Sequence, residues 1–359
     1  MIGAPEKVVI IEPRFRLTSF SELKPGTERA YLVKGLIPRT GLTVVWGAPK
    51  SAKSFWMFDL AMHVALGWEY GGRRVQSGPV VYCAFEGADG FKARAEAFRM
   101  RKLAEDHSAI DFYLVAARTN LVVDHNELIA AVRAQLGLRR PVLVVLDTLN
   151  RSLAGSESDD KDMAAYVKAA DTIREAFSCA VVIVHHCGID GTRPRGHTSL
   201  TGAADAQLAV KRDSAGNILV TVEWMKDGPE GDVIASRLEV IEVGADADGE
   251  PITSCVVVAV EAPPAREMAR ASRLPKAAQT ALRALSEALD EEGEAAPPSR
   301  HIPNGAKVIS VATWREQAYR RGISTSDDLD SKRRAFQRAS EHLIGIGRVG
   351  IWDNSAWLP

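Results

Sequence analysis

The chain has little that would set it apart from an ordinary globular protein. Only four of its 359 residues are cysteine. They stand at 83, 179, 187 and 255, with no C-x-x-C pair, so neither a zinc ribbon nor a disulfide framework is indicated, and three of them sit in or beside Val/Ile-rich stretches as small buried hydrophobes would. No apolar run approaches roughly 18 residues, which gives no candidate membrane span. The opening "MIGAPEKVVIIEPRF" lacks the basic-then-apolar build of a signal peptide, and a cytoplasmic chain is the expectation. A net charge of −1 excludes coating nucleic acid through an overall field, so any such contact must come from local basic patches. Internal repeats are absent. What remains is 46% hydrophobic and 25% charged, a composition and length suited to one large core and a smaller module.

The first part alternates short apolar runs with amphipathic segments. "LTVVW" (42–46), "PVVYCAF" (79–85), "DFYLV" (111–115), "VLVVLD" (142–147) and "AVVIVHH" (180–186) are nearly continuous and β-branched, the pattern of strands buried on both faces of a parallel sheet. Helices are predicted between them at 54–66, 91–105, 125–137 and 159–177, which gives an α/β fold, a mostly parallel sheet flanked by helices. Segments 206–212 and 218–224 flank the turn "DSAGN" and are predicted to pair antiparallel, with further strands at 236–243 and 254–260.

"GAPKSAKS" (47–54) differs by one letter from the phosphate-binding pattern G-x-x-x-x-G-K-[ST]. It follows a buried strand and opens a helix, where backbone N–H groups and the helix N-terminus cradle phosphate. Gly47, Ala48, Pro49, Lys50, Ser51, Ala52, Lys53, Ser54 and Phe55 are the candidate nucleotide-binding residues, with Lys53 at the β/γ oxygens and Ser54 a magnesium ligand. Ala52 stands where the pattern has glycine; if that position needs positive φ, alanine costs about 1–2 kcal/mol. Three strand ends add chemistry. Asp147 closes "VLVVLD" as a second magnesium partner, and Glu86 follows "VVYCAF" as a base for an attacking water. His185 and His186 close "VIVHH"; adjacent strand residues point to opposite faces, so His186 is the candidate at the γ-phosphate and His185 a satisfied core residue. A zinc site from His185, Cys187 and His197 is a further alternative.

The order of phosphate loop, strand-end Glu, strand-end Asp and strand-end His resembles the RecA-like P-loop ATPases. It is most similar to the RepA-type hexameric replicative helicases of plasmids and phages and their AAA-type relatives. "RPRGHTSLTGAADAQLAVKR" (193–212) is similar to the segment after the sensor strand in ring helicases, and "KDGPEG" (226–231) to their "RNGPTG" element. The resemblance spans about residues 30–260. It implies ATP and Mg²⁺ as cofactors, Glu86 and Lys53 as catalytic, and His186 as γ-phosphate sensor. Lys226 then takes the place of a cationic finger reaching the neighbouring subunit, with Arg212 as the alternative finger. A homo-oligomeric ring, single-stranded DNA as partner and other replisome proteins are implied as well. Arg193 and Arg195 lie in the loop that lines the ring channel in this family. Lysine replaces the family's arginine at the finger and lacks its bidentate fork.

The C-terminal part divides into a linker, 263–304, holding one helix around Leu282, Leu285 and Leu289, and a unit over 305–359; residues 1–29 form an N-terminal extension before the ATPase core at 30–262. Helices at 311–321 and 328–345 and the hairpin-like "GRVGIWDNSAWLP" outline a winged-helix-like domain. Phe336, Ala339, Leu343 and Ile346 form an apolar stripe, opposite Arg334 and Arg338 with Lys332 and Arg333 at the helix start, a face suited to DNA. The expectation is an ATP-driven motor on single-stranded DNA, a replicative helicase of RepA type. A second expectation is an ATP-gated DNA-binding loader or regulator that does not unwind. A small-molecule kinase is disfavoured, because nothing resembles a lid or acceptor pocket.

Overall fold

The structure is a computed structural model that describes residues 17–24, 30–103, 110–188, 193–261, 275–297, 302–303, 306–345 and 348–358. A short hairpin, β1 (Tyr31–Val33) and β2 (Ile37–Pro38), precedes the core. The core continues with β3 (Gly41–Gly47), α1 (Lys53–Leu66), β4 (Val80–Ala84), α2 (Phe91–Lys102), β5 (Phe112–Val115), α3 (Leu121–Leu136), β6 (Leu143–Asp147) and α4 (Leu149–Ser152). After these come α5 (Asp160–Phe177), β7 (Ala180–His186), α6 (Ser199–Ala203), β8 (Ala206–Arg212), β9 (Ile218–Met225), β10 (Val233–Ala245) and β11 (Pro251–Ala259).

Among the described residues, nine strands form one sheet in the order β11-β10-β9-β8-β3-β7-β6-β4-β5. From β8 to β5 every pairing is parallel, and from β8 to β11 every pairing is antiparallel. This is the expected α/β fold. The alternation along each strand sorts the apolar side chains into two cores. Val45, Tyr82, Val145, Val182 and Leu208 pack under α1 and α2, while Val44, Trp46, Val81, Cys83, Leu146 and Ile183 pack under α3 and α5. Each fully buried large apolar side chain contributes about 1.5–3 kcal/mol, so the central strands anchor everything at their ends. Helix α1 is buried on nearly all sides, as its composition implies; Asp59 within it meets Lys102 of α2 at 2.5 Å.

Helix α3 begins four residues before its predicted start at 125. Asn120 occupies the N-cap position and its N–H donates to the Asp124 carboxylate at 2.7 Å, so the apolar "LVV" belongs to the first turn. Strand β10 runs beyond 236–243 at both ends and β11 starts three residues before 254 and ends at 259, and Arg101 on α2 meets Glu239 on β10 at 2.7 Å. Residues 104 and 105 of the helix predicted over 91–105 lie outside the described residues.

A separate C-terminal unit consists of α7 (Lys276–Glu292), β12 (Glu294–Ala295), β13 (Lys307–Ser310), α8 (Val311–Arg320), α9 (Leu329–Gly345), β14 (Gly350–Trp352) and β15 (Ser355–Trp357), with sheet order β12-β13-β15-β14. The helix expected within the 263–304 linker belongs to this core. Ala281, Leu285 and Leu289 pack with Trp314, Phe336 and Leu343, and the Trp314 indole N–H donates to the Ala281 carbonyl at 2.6 Å. The unit therefore starts at α7 and not at 305. On α9, Phe336, Ala339 and Leu343 are buried while Arg333, Arg334 and Arg338 are exposed. Ile346, the last residue of the expected stripe, lies outside the described residues.

Candidate functional site

Every residue of β3 is buried, and the strand delivers Gly47 to the C-terminal end of the parallel sheet. A Cβ on Gly47 would stand 2.2 Å from the Val210 carbonyl oxygen of β8, so only glycine fits there. The loop then turns through Lys50 at φ 63° and Ala52 at φ 72°, and α1 starts at Lys53. The alanine thus does occupy the left-handed conformation for which glycine is favoured. It also leaves the helix without a side-chain cap, so no side chain of this loop satisfies the first-turn N–H groups.

Lys53 is buried, and its ammonium donates to the carbonyls of Gly47 and Ala48, at 2.9 Å each. Burial lowers its pKa, opposed by the charges of Asp147, Cys187 and Glu86. The Ser51 hydroxyl is buried with no hydrogen-bond partner. An uncapped helix N-terminus, a curled loop and a buried lysine form a donor set that fits a polyphosphate. Ala48, Pro49 and Lys50 are exposed at the rim, and Phe55 carries the Arg94 guanidinium 4.2 Å from its ring centroid.

Asp147 ends β6 and is buried. One oxygen accepts from the Ser54 hydroxyl at 3.1 Å, and the other from the Tyr82 hydroxyl at 2.5 Å. Burial raises the Asp147 pKa, against hydrogen bonds from Tyr82 and Ser54 and the charges of Arg94 and Lys53. A hydroxyl and a carboxylate on facing elements are the hard oxygen donors a magnesium ion bound to a nucleotide takes, with water completing the shell.

Glu86 follows β4 and is 43% exposed, so water reaches it. The Thr148 hydroxyl donates to it at 3.3 Å, His186 Nε2 lies 4.0 Å away, and Arg151 lies 3.8 Å away on the other oxygen. The His186 pKa is lowered, by burial first and by the Lys53 charge next, which favours the neutral ring. His185 is fully buried, and its Nε2–H donates to the Arg195 carbonyl at 2.8 Å, while its Nδ1 has no partner. Lys53, Ser54, Glu86, Asp147 and His186 therefore converge at one end of the sheet.

The remaining candidates lie elsewhere. The Arg195 guanidinium meets the buried Glu157 carboxylate at 2.8 Å, and Glu157 also accepts from the Asn150 amide at 2.8 Å. Arg193 is exposed. The zinc alternative finds no support: His197 Nδ1 meets Ser199 and Asp160 at 3.0 and 3.1 Å. Among the described residues no group of three or more His, Cys, Asp and Glu side chains could hold a metal ion.

Arg212 ends β8 beside the loop, its guanidinium on the Gly216 carbonyl at 2.8 Å. Lys226 follows β9, and its N–H bonds the Asp205 carbonyl at 2.8 Å at the other end of the sheet. With a rise of about 3.3 Å per residue, the length of β8 separates these two by on the order of 20 Å. Lys226 thus cannot serve the loop of its own chain.

The sequence reading missed Tyr82, Arg94, Thr148 and Glu157. Tyr82 reads as one more strand aromatic, and Glu157 sits in a polar loop that signals nothing. Only Thr148, next to Asp147 in sequence, was within reach. The Arg94 Nε is buried without a hydrogen-bond partner, and its Nη1 lies 3.4 Å from the Ser54 carbonyl.

No curated protein matches the sequence. Among solved structures the chain is similar to the RadB recombinase, at 16% identity over 57% of this chain and 90% of that one, with a TM-score of 0.42. It is also similar to a KaiC-like protein from the hyperthermophilic archaeon Pyrococcus horikoshii OT3, at 10% identity over 62% of this chain and 93% of that one, with a TM-score of 0.42. A family model described as an AAA domain matches residues 12–192, a span that holds Gly47, Lys53, Ser54, Glu86, Asp147 and His186. That span is half of the chain, and the protein belongs to this AAA-domain family.

Proposed function

We propose that the chain is a RecA-like P-loop ATPase that works as a motor on single-stranded DNA, a replicative helicase of the RepA type acting as a homo-oligomeric ring. The observation that carries the reading is the convergence of Lys53, the Ser54–Asp147 pair, Glu86 and His186 at the C-terminal end of the parallel strands. The loop amides and Lys53 would hold the phosphates, and Ser54 and Asp147 would hold magnesium, which supplies charge neutralisation across the phosphates. Glu86, open to solvent, orients and deprotonates a water. Neutral His186 donates a hydrogen bond at the γ-phosphate position beside Glu86.

The place of Lys226, remote from its own loop, supports its action on a neighbouring subunit. Arg212 is the alternative finger, on the same side as its own loop. Arg193 is the favoured DNA candidate of the 193–195 pair, because Arg195 is engaged by Glu157. The C-terminal order of helix, two strands, helix, helix and two-stranded hairpin resembles a winged helix, and exposed Arg334 and Arg338 are its candidate phosphate contacts. A strand-displacement assay with ATP and a forked duplex tests the reading. Release of the strand is expected, and DNA binding with ATP turnover but no release would favour the loader or regulator.

A further inference from the structure

We propose that Tyr82 is a positioning residue for the candidate magnesium ligand Asp147, fixing the orientation of its carboxylate on the acid side of the metal site. The inference rests on the ATPase reading of this site and concerns a side chain with no assigned part in it. On adjacent parallel strands, Tyr82 of β4 stands opposite Val145 of β6, and Asp147 lies two residues further along. A diagonal neighbour at about 7–8 Å is within reach of a long aromatic side chain. The phenol reaches it: the Tyr82 hydroxyl donates to Asp147 Oδ2 at 2.5 Å, while Oδ1 takes the Ser54 hydroxyl at 3.1 Å.

The donor cannot swing away. Tyr82 is fully buried, and its ring is held by Phe91 at 5.2 Å and Phe112 at 6.0 Å between centroids. One carboxylate oxygen is thereby tied to the sheet, and the carboxylate plane is fixed so that Oδ1 faces Ser54 at the loop. Partners that orient a metal ligand in this way change metal affinity by about 10–100-fold when removed. Phe91 opens α2, so the helix that follows the Glu86 loop also buttresses the phenol.

The test is a magnesium titration of the binding of a fluorescent non-hydrolysable ATP analogue, read by anisotropy, with a parallel titration in chelator. Tyr82→Phe removes the hydroxyl and keeps the ring. It should raise the magnesium concentration for half-maximal binding about tenfold or more and leave the metal-free analogue affinity within about twofold of the parent. Phe91→Leu keeps the hydroxyl and loosens the ring, and should shift the midpoint the same way by less. Magnesium midpoints equal to the parent's in both variants, whatever their melting temperatures, would overturn the inference alone. A parent that binds no analogue with magnesium would overturn the function reading and the inference with it.

Discussion

Ala52 illustrates how one residue moves between fold and function. Its φ of 72° places the strain, about 1–2 kcal/mol for an L-residue, in the folded chain itself. Glycine there relieves the strain, although its greater freedom in the unfolded chain returns about 0.4–1 kcal/mol. Ala52→Gly should therefore stabilise the protein by up to about 1.5 kcal/mol, read as a higher denaturant midpoint with unchanged slope. A lower midpoint would contradict the loop conformation described above. The histidines give a second residue-scale expectation. His63, His185 and His186 are each held below the ordinary value of 6.5, burial being the first cause in every case. The unfolded chain then binds protons that the folded chain refuses. Stability from these groups is complete above pH 6.5 and falls as pH drops toward their folded values. Melting temperatures from about pH 7.5 to 5.5 should show a steeper fall for the parent than for His185→Gln, and parallel curves would contradict this.

At the scale of elements, the parallel strands were legible because continuous β-branched runs bounded by turn residues have few other uses. The loop, Asp147, Glu86 and His186 were legible for the same reason: each sits where a readable strand ends. The start of α3 was hidden because its cap uses Asn120 and Asp124 around an apolar triplet that fits helix or strand. Tyr82 and Glu157 were hidden because their partners, Asp147 and Arg195, are distant in sequence and meet them only through the fold. The C-terminal boundary was misplaced because α7 precedes a polar connection, yet its alanines and leucines form one side of that unit's core. Residues 275–359 should accordingly unfold cooperatively as an isolated fragment. Residues 305–359, without Ala281 and Leu285 against Trp314, should show no cooperative transition by circular dichroism.

At the scale of the whole molecule, Lys226 and the loop occupy opposite ends of one sheet, and only assembly can bring a Lys226 to a nucleotide. Lys226→Ala and Lys53→Ala should each lose DNA-stimulated turnover alone. Mixed together, they should recover part of it, because some interfaces then pair an intact loop with an intact lysine. No recovery on mixing would argue for Arg212. The central claim, that the residues gathered at the strand ends hydrolyse ATP, is tested most directly by steady-state turnover of the parent and Glu86→Gln with magnesium and single-stranded DNA. The account predicts magnesium-dependent turnover in the parent and a loss of about 10²–10⁴-fold in Glu86→Gln with nucleotide binding retained. Turnover undiminished in Glu86→Gln would contradict it.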